Sequence, residues 1–217
     1  MAVILVIANP SDPATRVGYY YLRRFSIYAS QQGHQVIFQH TPTLDALRKA
    51  ITTYDPKLVV ANGHGGYRSL AVDDNVIIGS RGYDEATKTH LKNENVEWFR
   101  NRIVILATCN AGRQLAYDLI EHGAVAVLGY SEPFIFMSDD TNKPDKDKSA
   151  RPFFISLLQP ALKLASGATF AEACSTTRAS YTEYQEEEEA QGDEASAKYL
   201  NFDRENLVCL GDPMVRL

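Results

Sequence analysis

The chain has 217 residues, a hydrophobic fraction of 45%, a charged fraction of 23% and a formal net charge of −5. This length suits a single domain over residues 1–217 with a sizeable core, since no linker divides the sequence. The negative charge and the scattered basic residues argue against nucleic acid as a partner. No apolar run approaches the roughly 20 residues that span a bilayer, so no membrane association is expected.

The cysteines are few and odd in number: Cys109, Cys174 and Cys209. Such a set favours a reducing compartment over a disulfide framework, and the N-terminal apolar run lacks the basic leader of a signal peptide. We therefore expect a cytoplasmic protein. No cysteine has another at metal-ligand spacing, so no metal site is predicted.

Short apolar runs alternate with segments of helical periodicity along the chain. Apolar runs without polar alternation are typical of strands buried on both faces, and their alternation with helices predicts a mostly parallel sheet. In chain order, the predicted elements are a strand at 2–8, a helix at 15–32, a strand at 35–39, a helix at 44–53, strands at 58–61 and 103–107, a helix at 113–122, a strand at 124–128, helices at 151–166 and 170–185, and a strand at 206–210.

Three further segments depart from this rhythm. Residues 67–72 and 76–78 flank the turn-forming sequence Asp73-Asp74-Asn75, which predicts a β-hairpin. Residues 138–150 are charged and lack apolar anchors, so a mobile loop is expected, with lysines exposed to self-cleavage. The acidic run 186–189 is typical of a solvated helix face or of a frayed helix end.

Two reactive side chains follow consecutive core strands. His64 lies in the string VVANGHGG and Cys109 in the string IVILATCNAG. Loops beyond the carboxyl ends of parallel strands share one edge of a sheet, so the two side chains are expected to meet there. A thiolate at the start of the helix after Cys109 would be the nucleophile, His64 the general acid/base, and the amides of Gly65 and Cys109 the oxyanion hole.

Other interpretations of the same residues stay open. A cysteine after a buried strand is often an inert packed residue, and a histidine in a glycine-rich turn is often only a loop residue. The domain is then a catalytically silent peptide-binding or regulatory module. A different cysteine hydrolase or amidase is the third alternative, although Ala107 and Ala111 replace the glycines of a nucleophile elbow.

The two strings resemble the clan CD cysteine peptidases, which include caspases, gingipains, clostripain-like enzymes and CHAT domains. In that clan one apolar strand ends in His-Gly and a second ends in a cysteine, and the caspase spacing of about 50 residues is close to the spacing here. The C-terminal sequence Leu210-Gly211-Asp212-Pro213 resembles the closing strand of gingipain-like and CHAT domains. The chain departs from caspases after Cys109, which favours the gingipain or CHAT branch.

This resemblance implies a caspase-like three-layer sandwich, with helices on both faces of the sheet and a hairpin after His64. It implies a cysteine endopeptidase that acts on protein or peptide substrates, with Cys109 as nucleophile and His64 as acid/base. Asp12 and Glu132 lie in the segments that line the family's specificity pocket, so they predict a preference for basic residues. The alternative for Asp12 is a turn or a helix cap, and the alternative for Glu132 is a solvent-facing side chain.

No cofactor is expected. Calcium regulation is a hypothesis for the clustered acids at Asp139 and Asp140, or at residues 186–189. The sequence gives no indication of the oligomeric state.

Overall fold

The computed structural model describes residues 1–73, 75–91 and 94–217 and has a mixed α/β architecture. The strands are β1 (Val3–Ala8), β2 (Gln35–His40), β3 (Leu58–Asn62), β4 (His64–Gly65), β5 (Ser69–Val72), β6 (Asn75–Gly79), β7 (Gly82–Asp84), β8 (Thr89–Leu91), β9 (Ile103–Ala107), β10 (Ala126–Tyr130) and β11 (Leu207–Gly211). The helices are α1 (Pro13–Gln31), α2 (Leu44–Tyr54), α3 (Leu115–Glu121), α4 (Arg151–Ala165), α5 (Phe170–Gln191) and α6 (Glu194–Glu205), and a short 3-10 helix spans Val96–Phe99.

The central sheet has six strands in the order β2-β1-β3-β9-β10-β11. The first five are parallel, and β11 pairs antiparallel with β10 at the edge. Strands β3, β9 and β10 are buried along their whole length. This explains why they carry unbroken apolar runs, because a strand covered on both faces has no solvent side for polar residues.

Helices cover both faces of the sheet. The core on one face is formed with α1, α4, α5 and α6, and the core on the other face with α2, α3, the 3-10 helix and the hairpin of β5 and β6. The predicted caspase-like sandwich with a mostly parallel sheet is therefore confirmed. The hairpin also follows His64 as predicted, and Asp74 of its expected turn lies outside the described residues.

Helix α6 was not predicted from the sequence. It follows α5 after Gly192, which takes a left-handed conformation at φ 80°, and Asp193, whose side chain caps the new helix through the Ser196 amide. A glycine followed by an aspartate is a recognisable stop and start signal. Helix α5 also runs six residues further than expected, to Gln191, so the acidic run 186–189 lies within it.

Residues 138–150 form a series of hydrogen-bonded turns, and the mobility expected of this segment stays a prediction. The buried Asp147 carboxylate accepts hydrogen bonds from the Ser138 hydroxyl and from the amides of Asp139, Asp140 and Ala150. The segment has few apolar residues to pack into the core, and the hydrogen bonds to the Asp147 carboxylate hold it in place instead. Self-cleavage at its lysines stays a prediction.

The expectation that the cysteines are unpaired is wrong for two of them. Cys174 of α5 and Cys209 of β11 form a disulfide, which leaves Cys109 as the free thiol. The pairing escaped the sequence analysis because the two positions are 35 residues apart, and their contact depends on how α5 packs on the edge strand. The cysteine count therefore no longer supports a reducing compartment.

Candidate active site

His64 and Cys109 emerge at the same edge of the sheet. Strands β3 and β9 are adjacent and parallel, with Asn62 paired to Ala107. His64 and Cys109 each lie two residues beyond this pair, so the strand register brings their backbones to the same level. The sequence prediction that they share one edge agrees with this topology.

The two loops are in direct contact. The Thr108 hydroxyl donates to the Gly63 carbonyl over 2.7 Å, and Asn110 Nδ2 donates to the Gly65 carbonyl over 3.5 Å. A Cβ atom on Gly65 would overlap the Cys109 carbonyl oxygen. Only glycine allows the backbone after the histidine to approach the cysteine segment this closely.

The His64 imidazole is held by a carboxylate. Its Nε2 atom lies 2.8 Å from Oδ2 of Asp12, and 56% of the histidine side chain is exposed to solvent. An ionised carboxylate only accepts hydrogen bonds, so Nε2 carries the proton and Nδ1 is left with a free lone pair when the ring is neutral. The arrangement resembles the base-and-orienter pair of a hydrolase.

Asp12 also starts helix α1. Its Oδ1 atom accepts hydrogen bonds from the amides of Ala14 and Thr15, and its Oδ2 atom accepts from the Thr15 hydroxyl. Burial alone would raise the pKa of Asp12, but the hydrogen bonds from Thr15 and His64 outweigh it and hold that pKa below its ordinary value. The carboxylate predicted to bind substrate is thus engaged as a helix cap and as the partner of His64, so its role in a specificity pocket stays a prediction.

Cys109 is partly buried and does not lie at the start of a helix. Helix α3 begins at Leu115, six positions after the cysteine, so the predicted placement at a helix start is wrong. The thiol contacts the Phe134 carbonyl oxygen at 3.9 Å. Burial raises the pKa of the Cys109 thiol, the contact with Phe134 lowers it in part, and negative charge on Asp203 raises it further. The Cys109 thiol is therefore neutral at pH 7.

The thiol and the imidazole have separate hydrogen-bond partners. Within the part of the chain that the structure describes, the thiol contacts Phe134 and the imidazole contacts Asp12, and the two groups are not hydrogen-bonded to each other. The Cys109 amide has no backbone acceptor among these residues outside the regular elements. An amide without an acceptor is able to bind a developing oxyanion, and the oxyanion role of the Cys109 and Gly65 amides stays a prediction.

Glu132 lies on the rim of this site. Its backbone carbonyl accepts a hydrogen bond from the amide of Asn110, and its side chain, 41% exposed, lies 3.4 Å from an Arg113 nitrogen. The same guanidinium stacks 4.6 Å from the centre of the Tyr67 ring. Glu132 is therefore close to Asn110, the residue after the candidate nucleophile, but it already has a cationic partner.

A buried carboxylate fixes the loop after His64. Asp84 accepts hydrogen bonds from the amides of Tyr67 and Arg68 and from the Ser69 hydroxyl. Burial would raise the pKa of Asp84, but these hydrogen bonds outweigh it and lower the pKa. The sequence analysis did not single out Asp84, because its role depends on the position of the short strand β7.

Sequence reasoning also missed Asp203, since it lies on the unpredicted helix α6. Its side chain is almost fully buried, one oxygen accepts a hydrogen bond from the Ile135 amide over 3.1 Å, and the other has no partner among the described residues. Burial raises the pKa of Asp203 to about 8, against a smaller lowering by the Ile135 amide. A buried acid whose charge acts on a candidate nucleophile is a common feature of functional sites.

Two cavities of the structure lie away from the candidate site. A cavity of about 1050 Å³ lies between the start of α2, strands β6 and β8 and the 3-10 helix, and one of about 790 Å³ lies between α1 and α4. Neither is lined by His64 or Cys109. Among the described residues, no group of three or more His, Cys, Asp or Glu side chains is arranged to hold a metal ion, and calcium regulation stays a prediction. None of the described helices is both long enough and apolar enough to span a bilayer.

Comparison with known proteins places the chain in a family. The model of peptidase family C25 matches residues 7–217, which is nearly the whole chain. No curated protein matches it significantly. The family match agrees with the resemblance to gingipains and with the sheet topology. The chain belongs to peptidase family C25, the gingipain family of clan CD cysteine peptidases.

Proposed function

We propose that the protein is a cysteine endopeptidase in which Cys109 attacks the scissile carbonyl and His64 transfers the proton. The observation that carries this proposal is the juxtaposition of the two loops at the ends of β3 and β9, with His64 bound to Asp12. Membership in peptidase family C25 supports peptide bonds as the substrate.

The proton transfers follow from the hydrogen bonds of the resting site. Because the pKa of Cys109 is raised, the thiol keeps its proton until a substrate binds. Sγ then forms a bond with the carbonyl carbon while Nδ1 of His64 accepts the thiol proton. Asp12 stabilises the imidazolium, the oxyanion is held by the amides of Gly65 and Cys109, and Nδ1 returns the proton to the leaving amine. Water then hydrolyses the thioester with His64 as general base.

We further propose that the enzyme cleaves after basic residues, with Glu132 as the acidic group that meets the basic side chain. Glu132 is a half-buried acid whose backbone carbonyl is hydrogen-bonded to the Asn110 amide, next to Cys109. Its pairing with Arg113 means that a substrate cation must compete with that guanidinium. Removal of Arg113 is therefore expected to strengthen the preference for basic residues.

Kinetics with a fluorogenic peptide library test the reaction. Wild type is expected to cleave peptides, and Cys109→Ala and His64→Ala are each expected to reduce kcat/KM by about 10³-fold or more. The matched control is His90→Ala, which removes an exposed histidine of β8, away from the site. Equal cleavage by wild type and Cys109→Ala would refute the proposal.

The same library tests the specificity. Glu132→Gln is expected to lower kcat/KM for substrates with arginine or lysine before the scissile bond by about tenfold, and Arg113→Gln to raise it. A wild-type preference for aspartate or apolar residues would exclude the basic-residue specificity. That result would leave the peptidase assignment intact.

A further inference from the structure

A buried carboxylate lies behind the wall of the active site and has no role in the proton transfers above. Asp203 is 1% exposed, on the last turn of α6. One of its oxygens accepts from the Ile135 amide, and the other has no partner among the described residues. A buried polar atom without a hydrogen-bond partner lowers the stability of the fold, and such an atom in a native structure often has a functional role.

The contacts lead directly from Asp203 to the thiol. Ile135 follows Phe134, whose carbonyl oxygen is the acceptor for the Cys109 thiol at 3.9 Å. The hydrogen bond from the Ile135 amide to Asp203 therefore fixes the orientation of the peptide plane that carries the Phe134 carbonyl. Packing of the Phe134 ring also fixes this residue, since the centre of its ring lies 5.3 Å from that of Tyr130 and 5.6 Å from that of Phe154.

We propose that Asp203 is a positioning residue for Cys109, which holds the Phe134 carbonyl against the thiol and couples the thiol's ionisation to its own. The inference rests on the proposed role of Cys109 as nucleophile.

The charge coupling follows from burial. Burial keeps Asp203 protonated at neutral pH, because it raises the pKa of this carboxyl to about 8. Once ionised, Asp203 places a negative charge near the thiol, which raises the pKa of Cys109. Each group therefore opposes the loss of the other's proton, and the two titrate as a pair.

The other ionisable groups near Asp203 are either neutral or turned to other acceptors. Tyr130 and Tyr181 are fully buried, and their hydroxyl groups are hydrogen-bonded to each other over 2.7 Å. Burial raises the pKa of both tyrosines, so they remain neutral across the range in which Asp203 titrates. Arg178 donates to the carbonyls of Arg204 and Leu207, and Arg204 donates to the Thr182 hydroxyl and to Asn201.

The test measures the rate of Cys109 alkylation by iodoacetamide as a function of pH, without reductant. The other two cysteines are joined in a disulfide, so alkylation reports Cys109 alone. Asp203→Asn keeps an acceptor for the Ile135 amide but cannot ionise. It is expected to lower the pH midpoint of alkylation by about 0.5 to 1 unit. Glu205→Gln removes an exposed charge two residues further along the chain and should leave the midpoint unchanged.

Amide hydrogen exchange at Ile135 tests the positioning contact. Asp203→Ala removes the acceptor and is expected to speed exchange at Ile135 by about fivefold or more, whereas Asp203→Asn restores slow exchange. An unshifted midpoint in Asp203→Asn, or unchanged exchange in Asp203→Ala, would overturn the proposal.

These readouts do not depend on peptide cleavage. An enzyme that cleaves no peptide but shows the shifted midpoint would refute the proposed function and leave the role of Asp203 standing. Peptide cleavage together with an unshifted midpoint in Asp203→Asn would support the proposed function and refute the role of Asp203.

Discussion

Asp12 divides its two oxygens between two partners. Oδ1 accepts hydrogen bonds from the amides of Ala14 and Thr15 in the first turn of α1, and Oδ2 accepts one from His64 Nε2 over 2.8 Å. The cap stabilises the helix, while the second contact orients the imidazole. Replacing Asp12 by a residue that caps a helix but has no carboxylate would keep the helix cap and remove the contact that orients the imidazole.

Asp12→Ser makes this separation. Serine is as good a helix cap as aspartate but cannot reach or stabilise the His64 imidazolium. We expect kcat to fall by roughly 10²-fold or more, by analogy with the orienting acid of a catalytic triad, with little change in thermal stability. Kinetics and thermal melting check this result. Thr43→Ala is the matched control, because it removes the cap of α2, costs about 1 kcal/mol and should leave kcat unchanged. Full activity in Asp12→Ser would contradict the role.

Asp203 makes stability depend on pH. Its pKa is about 8 in the folded protein and about 4 when the chain is unfolded, so the folded state holds the proton that the unfolded state loses between these values. The contribution of protonated Asp203 to the unfolding free energy is fully present below pH ~4 and is lost as the pH rises to about 8.

Asp203→Asn removes this titration. We expect the variant's unfolding free energy, relative to wild type, to rise between pH 5 and pH 8 by about 2 to 5 kcal/mol. Urea denaturation at both pH values measures this difference. Glu205→Gln is the control, and a difference between Asp203→Asn and wild type that does not vary with pH would contradict the raised pKa.

The sequence allowed the site to be predicted only where a residue follows a long apolar strand. His64 and Cys109 come directly after β3 and β9, so pattern and chain order were enough to bring them together. The roles of Asp84 and Asp203 depend on backbone amides brought close by tertiary packing, 16 to 68 residues away along the chain. No local pattern contains such contacts.

At the level of elements, the unbroken apolar strands were the easiest to predict and the short or polar elements the hardest. Strands β7 and β8 have three residues each, too few for a periodic signal, and the buried face of α6 includes the polar residues Ser196 and Asp203. Helix α3 is shorter than its sequence suggests, since residues 110–114 form turns that pack against the end of β10. This shortening removes the helix dipole as the means of activating Cys109.

The disulfide ties an outer helix to the edge of the sheet. Cys174 lies on α5 and Cys209 on β11, the antiparallel edge strand paired to β10. Closing a loop of this length restricts the unfolded chain. Because β10 leads directly into residues 131–136 beside Cys109, the anchored edge also supports the wall of the site.

Reduction of the disulfide is expected to lower the unfolding free energy by about 2 to 4 kcal/mol. Denaturation with and without a phosphine reductant measures this change. Cys109→Ala is the control, since it removes the free thiol and should keep the full sensitivity to reductant. A melting temperature that the reductant leaves unchanged would show that the bond does not stabilise the fold.

At the scale of the whole molecule, one sheet edge gathers the loops that follow β1, β3, β9 and β10. Asp12, His64, Cys109 and Phe134 come from these four loops, and helices on both faces hold the strands that carry them. The architecture could be predicted because alternating strands and helices admit few parallel arrangements. The proposed specificity pocket could not, because it depends on how surface side chains such as the half-buried Glu132 and the exposed Arg113 pair.

The central claim is that His64 and Cys109 act as one reactive pair, and active-site labelling tests it most directly. A peptidyl acyloxymethyl ketone with lysine beside the reactive group is incubated with wild type, His64→Ala and Cys109→Ala, and the labelled residue is located by mass spectrometry. We predict one label per chain on Cys109 of the wild type, labelling at least about tenfold slower in His64→Ala, and none in Cys109→Ala. Labelling of Cys109 that proceeds equally fast without His64 would contradict the pair, as would a wild-type protein that takes up no label.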